Sequence, residues 1–399
     1  MSEHGATRRG LWIAIASTIA AAAFAAGGTE LWVRHSWDLK RGAPGFFLSD
    51  PLRGEKLGDD YSGWFAGVPV RLNRLGLRDS REYALAKKPN TFRILVLGDS
   101  VTFGHGSIYE HTYPYLLEGL LRASYPDTDW QVWNAGVPGY NTTQELAYLL
   151  DKGATYKPDL VIVGFYNNDV IDNEDLRSPG VIARASSAAR NFLKRHLYSM
   201  EWYRRVYLQL AWRLRGGAGS VEAEGERLLE NTGAIEHLAE QQLTHIEPIA
   251  SDVWARSRCA QHPNAPSSDP ERTDQMLQFA ARQDPGLRRW KAAVGRLQQL
   301  SRVGAYRIVF FVNMAPDACV AVNEDLFDTR GSSAENEYFL RVLGNGTPAV
   351  SSHDAFSRYR PSQVPQAGGH SLGNANLVKA QVLFAYLRRI GLAEWIGRT

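Results

Sequence analysis

Cysteine is scarce: the 399 residues contain two, Cys259 and Cys319. A structural zinc site needs about four ligands, so two isolated thiols define no metal site. They either pair as one disulfide in an oxidising compartment or stand as two unrelated buried thiols. A strong charge imbalance is also missing, since 45 Lys and Arg face 42 Asp and Glu for a formal net charge of +3. Without a zinc-finger, RNP or basic-region pattern, that balance excludes a nucleic-acid partner. The sequence has no Walker loop and no dinucleotide fingerprint. "GHGSIY" (Gly104 to Tyr109) lacks the required lysine and further glycines, so no cofactor is expected. Internal repeats are absent, and no low-complexity tract occurs beyond an Ala-rich N-terminal segment.

What is present begins at that segment. Arg8 and Arg9 precede "LWIAIASTIAAAAFAAGG", and no charge occurs from Leu11 to Thr29. About 20 apolar residues suffice to cross a bilayer. Arginines ahead of the span keep the N-terminus cytoplasmic and send the rest of the chain across, which predicts a single-pass inner-membrane protein with a periplasmic domain. "AFA" (Ala23 to Ala25) resembles a signal-peptidase site, so cleavage is the alternative. Apolar residues resume in "LWV" (Leu31 to Val33), which favours an uncleaved anchor. The chain then divides into a cytoplasmic tip and anchor over 1–34, a Gly-, Pro-, Arg- and Asp-rich linker or irregular lead-in over 35–90, and a domain over 91–399.

That domain alternates. Strands are predicted at 93–97, 130–134, 159–165, 306–313 and 348–352, with helices near 112–124, 142–152, 287–303 and 374–390. The alternation predicts a parallel sheet covered on both faces. The unbroken apolar runs "ILVL", "LVIVGF" and "IVFFV" fit strands buried on both sides. Residues 177–286 exceed any usual connection and read as a helical insertion. Within it, Leu193, Leu197, Met200, Tyr203, Tyr207, Leu210 and Leu214 share a helical stripe. A cap helix packed on the sheet, with a solvated basic face, is the favoured reading; a membrane-facing amphipathic helix is the alternative.

In a parallel sheet, ligands gather at the carboxyl ends of the strands. Four residues follow strands or precede the last helix there: Ser100 in "GDSVTFG", Gly139 in "NAGVPGYNT", Asn168 in "YNND" and His370 in "GGHSLGNAN". They supply a hydroxyl nucleophile, an unobstructed backbone N–H, an amide donor and a base. Each has a plainer reading: Asp99 or Ser100, Asn141 or Thr142, and Asn168 or Asp169 all suit helix caps, and a lone histidine is often structural. His105 reads as a solvated turn residue, with Asp317 and His353 as bystanders.

These four blocks in this order resemble the SGNH (GDSL) hydrolase family, over about residues 92–170 and 305–390. The resemblance implies a flavodoxin-like three-layer α/β/α fold, Ser100 as nucleophile, Gly139 and Asn168 as oxyanion donors, and His370 as base. One departure stands out: the aspartate usually found three residues before the histidine is Ala367 here. That carboxylate ordinarily orients the imidazole and stabilises its charged form. Its stand-in is either Asp354 or a backbone carbonyl.

The implied function is a membrane-anchored serine esterase acting on acylated, chiefly O-acetylated, envelope or extracellular carbohydrate. The same residues would serve an O-acyltransferase for envelope glycans. Loss of the aspartate leaves a non-catalytic glycan-binding or assembly protein as a third reading. The expected partners are the ester substrate and the membrane; no protein partner is specified.

Overall fold

The computed structural model describes residues 3–37, 42–171, 181–214, 243–261, 285–319, 322–367 and 369–397. Helix α1 (Glu3–Ser36) leads into two hairpins, β1 (Phe47–Asp50) with β2 (Gly54–Leu57) and β3 (Tyr61–Phe65) with β4 (Val68–Leu72). Then follow β5 (Thr91–Gly98), α2 (Ser100–Phe103), α3 (Tyr113–Ser124), β6 (Asp129–Gly136), α4 (Thr142–Tyr156), β7 (Leu160–Phe165) and α5 (Asn168–Ile171). The insertion contributes α6 (Val181–His196), α7 (Tyr198–Leu214), α8 (Ser251–Ala255) and α9 (Arg258–Gln261). The chain continues through α10 (Pro285–Arg302), β8 (Ile308–Val312), β9 (Asp317–Ala318), β10 (Phe327–Asp328), α11 (Arg330–Leu343), β11 (Ala349–Ser351) and α12 (His353–Phe356). It ends with β12 (Gln366–Ala367), β13 (His370–Ser371), α13 (Asn374–Arg389) and α14 (Leu392–Ile396). Of the insertion expected over 177–286, residues 177–180, 215–242 and 262–284 lie outside the described residues.

Five strands form one parallel sheet in the order β11-β8-β7-β5-β6. All eight residues of β5 are buried, which is why the run lacks polar alternation. Phe92, Ile94 and Val96 point to the layer of α3 and α13, whereas Leu95 and Leu97 point to that of α4 and α10. The sheet is therefore the middle layer of an α/β/α sandwich, as the alternating pattern predicts. Truncating a core side chain such as Ile94 or Leu95 to alanine would cost about 2–5 kcal/mol.

Two expectations are corrected. Part of the segment expected over 35–90 as a linker or irregular lead-in is built into the domain: Leu57, Val68, Val70, Leu72 and Leu77 are buried in the main core. Strand β4 alternates buried and exposed residues, with Val68, Val70 and Leu72 in, but the abundant glycine and charge of the neighbouring turns hide this pattern in the sequence. Nor does α7 cap the sheet. It packs on α1 and α6, while α6 packs on β1, because its first turn is held by the end of α1 rather than by the sandwich.

The cysteines pair as a Cys259–Cys319 disulfide, with Cα atoms 6.1 Å apart and a sequence separation of 60. Asp328 lies beside both sulfurs, but sulfurs bonded to each other offer no thiolate ligand.

Candidate active site

The turn carrying Ser100 rests on a row of glycines. Gly98, Gly136 and Gly164 are register partners across β5, β6 and β7. A Cβ at Gly98 would fall 2.0 Å from Thr102 Oγ1, one at Gly136 2.4 Å from the Phe103 backbone nitrogen, and one at Gly164 2.3 Å from Thr102 Oγ1. Only hydrogen at these three positions lets α2 settle onto the sheet edge. Asp99 is the helix cap, accepting from Val101 N at 2.9 Å. Ser100 is thus the first helical residue, and its hydroxyl is left for chemistry.

His370 reaches that hydroxyl: Nε2 lies 2.8 Å from Ser100 Oγ, across 270 residues of sequence. With Nε2 facing the hydroxyl as acceptor, the ring proton belongs on Nδ1. The β12–β13 hairpin pairs His370 with Ala367. Asn376 fastens the following residue, donating to Ser371 O at 2.8 Å and to Ser107 Oγ at 3.1 Å. Arg78, fully buried, holds the other side of the turn. It donates to Phe103 O and Gly104 O, both at 2.6 Å, and to Ser107 O. Burial lowers its guanidinium to about 9, against the attraction of Glu110 and Tyr109.

His105 is not a solvated turn residue. Gly104 adopts φ +85° after the single turn of α2, and His105 N donates back to Ser100 O at 2.9 Å. That reversal lays its ring on His370, with centroids 4.3 Å apart and planes 21° from parallel. Phe65 covers it edge-on at 5.2 Å. Burial, then the neighbouring His370 and Arg78, hold the His105 imidazole down at about 3, so it is neutral.

Asp354 does not serve His370. Its carboxylate, 87% exposed, meets His353 Nδ1 at 2.8 Å, and His353 Nε2 pairs with Ser332 Oγ at 2.7 Å. His353 is accordingly a buried structural residue.

The two expected oxyanion donors stand on turns at the same sheet edge. Val137 N donates to Gly98 O at 2.9 Å, tying the turn after β6 to the residue before Asp99. Gly139 lies in that turn with φ +85°, a conformation that favours glycine. Asn168 opens α5, and its side chain favours the charged form of the Asp99 carboxyl. Behind it lies a buried group: Asp99, Glu145, Asp169 and Lys379 are each at most 1% exposed. Burial pushes Asp99 up to about 6, with Asn168 and Lys379 opposing the shift. Burial and then Asp99 raise Glu145; burial and then Glu145 and Asp99 raise Asp169. Burial lowers Lys379 to about 7, against the attraction of Asp99.

Beside the pair opens a cavity of about 240 Å³, lined among others by Tyr166, Asn167, Asn313, Asp317, Ser332 and Glu335, and reaching Gly369 and Ser371 on either side of His370. Asp317, expected as a bystander, is part of this wall. Sequence reasoning also missed Arg78, Asn376 and Lys379. A short polar residue after "GGHSL" was a signal for Asn376, whereas nothing in the sequence marks Lys379 as buried.

Residues 96–265 match the GDSL-like lipase/acylhydrolase family. The matched stretch is a little under half of the chain. No curated protein matches it. Among solved structures it is similar to a two-domain esterase active on acetylated mannans (11% identity, TM-score 0.33, covering 75% of this chain). The chain spans about half of that protein, 50%. It is also similar to a catalytic mutant of Axe2, an acetylxylan esterase from Geobacillus stearothermophilus, at 13% identity and TM-score 0.36, covering 74% of this chain and 94% of that one. TesA is similar at 14% identity and TM-score 0.34, covering 74% and 98%.

Proposed function

We propose that the protein removes acyl groups, chiefly acetyl, from a carbohydrate of the cell envelope, working on the periplasmic side of the inner membrane from its N-terminal anchor. The observation that carries the reading is the 2.8 Å contact between His370 Nε2 and Ser100 Oγ. His370 takes the hydroxyl proton as Ser100 Oγ bonds to the ester carbonyl carbon. The negative charge then built on the carbonyl oxygen is met by the backbone N–H groups of Ser100 and Gly139 and by the Asn168 side chain. His370 passes its proton to the departing sugar oxygen, the C–O bond breaks, and water resolves the acyl-enzyme by the same steps in reverse. The polar wall of the adjoining cavity supports a hydroxyl-rich substrate over a hydrocarbon one. The apolar run of α1, a candidate span over Gly10–Ser36 whose most apolar stretch is not buried in the fold, supports the anchor.

The test is acetate release from aryl acetate and from O-acetylated polysaccharide by the purified full chain. Wild type turns over both, and Ser100→Ala loses about 10⁴-fold or more in kcat. Equal, slow hydrolysis by both proteins would end the enzyme reading. Acetate recovered on an added glycan instead of in solution would reassign the reaction as transfer.

A further inference from the structure

The first charged residue after the apolar run is Glu30. The nineteen residues Leu11 to Thr29 rise about 28 Å as a helix, close to the hydrocarbon thickness of a bilayer. Glu30 therefore stands at the level of the lipid headgroups. Its carboxylate accepts from Tyr198 N at 3.1 Å and Ser199 N at 2.9 Å, so it caps α7, satisfying donors that a helix start leaves open. Arg34 donates to His196 O at 2.5 Å. Trp32 meets Trp202 edge-on at 5.9 Å, and Arg205 lies over the Trp37 ring at 4.8 Å. The start of α7 is thus fastened to the membrane-exit end of α1.

Beyond this junction α7 presents Tyr203, Val206, Tyr207, Leu210 and Leu214, between 46% and 78% exposed. Their spacing of three and four residues makes one stripe. Together α6 and α7 carry seven Lys or Arg against one acidic residue, Glu201. An exposed apolar stripe on a basic helix is the composition of segments that lie in the plane of an anionic lipid surface.

We propose that α7 lies in the lipid interface, its stripe of Tyr203, Tyr207, Leu210 and Leu214 seated among the acyl chains next to the point where α1 leaves the bilayer. The occupant of the stripe is lipid, by continuity with the span and by charge. This rests on the anchor reading above and extends it: the hydrolase domain is fixed to the membrane rather than swinging on a tether. The connection runs through α6, where Asn191 exchanges hydrogen bonds with Ser49 at 2.7 and 2.9 Å and Arg195 pairs with Asp59. The same helix pair reaches the catalytic edge. The Glu55 carboxylate lies 3.8 Å from where a Cβ on Gly139 would sit, and it feels the charges of Lys194 and Arg204. The acyl site consequently works close to the bilayer surface, within reach of membrane-proximal glycan.

Both native cysteines are disulfide-bonded, so single introduced cysteines can be labelled selectively. The experiment places an NBD fluorophore at Tyr207→Cys, Leu210→Cys, Phe24→Cys or Leu150→Cys in the full chain. Each protein is reconstituted into phosphatidylcholine–phosphatidylglycerol vesicles with and without nitroxide-labelled lipid. The expected result is blue-shifted emission and quenching by nitroxide lipid at positions 24, 207 and 210, with water-like emission at 150. Quenching at 24 alone, with 207 and 210 resembling 150, overturns the proposal and leaves the anchor standing. Blue-shifted emission at 207 and 210 without lipid quenching also overturns it, assigning the stripe to a protein surface. Water-like emission at 24 as well overturns both readings.

Discussion

The ring of His105 lies flat against the face of the His370 ring, with centroids 4.3 Å apart and planes 21° from parallel. A neutral stacked ring steadies an imidazole from its face and spreads charge that appears on it, without offering a second base. His105→Ala is expected to lower kcat about 10- to 100-fold through misplacement of His370, with KM little changed. His105→Phe keeps a flat face and is expected to recover most of that loss. The acid limb of the kcat/KM profile keeps its midpoint in the Phe variant, because His105 stays neutral down to about pH 3. A shifted limb would show that residue 105 itself titrates in the reaction.

Asp354 is occupied by His353 and largely exposed. Asp354→Asn is therefore expected to leave kcat and kcat/KM within about twofold of wild type, as surface changes usually leave the fold intact. A loss of several orders of magnitude in a steady-state assay would instead make it the missing triad member.

Lys379 is a cation in a buried group of three carboxyls. Asp99 is raised from 3.8 to about 6 and Lys379 lowered from 10.5 to about 7, so each charged form is costly when folded. Below about pH 4 Asp99 is protonated in both the folded and the unfolded chain, and a charged Lys379 only burdens the native state. As pH rises through about 6 the native Asp99 ionises and needs the cation. Lys379→Met is thus expected to be stabilising at pH 4 and to lose that advantage, turning destabilising, as pH rises to 7. Urea titrations at the two pH values check this; a pH-independent difference would refute the pairing.

The Cys259–Cys319 bond closes a 60-residue separation. On the chain-entropy account, its loss costs about 4 kcal/mol. Denaturant unfolding of the Cys259→Ser/Cys319→Ser double variant measures it, and an unchanged midpoint would mean the bond constrains nothing.

The sandwich was legible because β5, β7 and β8 are unbroken apolar runs and because the helices between them are long; their observed limits differ from the predicted ones by a few residues. Ser100 and His370 were legible because the strand-end blocks carrying them are dense in glycine and polar residues, and the structure brings the two together. The orienting environment of His370 was not. His105 reaches it through one αL glycine, a backbone event with no side-chain signature, and Asp354 seemed suitable only because it was the nearest carboxylate in sequence. The hairpins of 47–72 were hidden for a related reason: four- and five-residue strands give too few alternations to outweigh their polar turns. The stripe on α7 was visible, but its neighbour was not, since a helical period says which residues share a face and nothing about what that face meets.

Gly98, Gly136 and Gly164 fall side by side only when β6 and β7 both pair with β5 in their observed register. A slip of one residue in either strand would bring a side chain under Thr102 or Phe103 and lift Ser100 off its seat. Catalytic competence is in this sense a proofreading signal for strand assembly: misaligned molecules stay silent, and the fraction of active enzyme reports how faithfully the sheet was built.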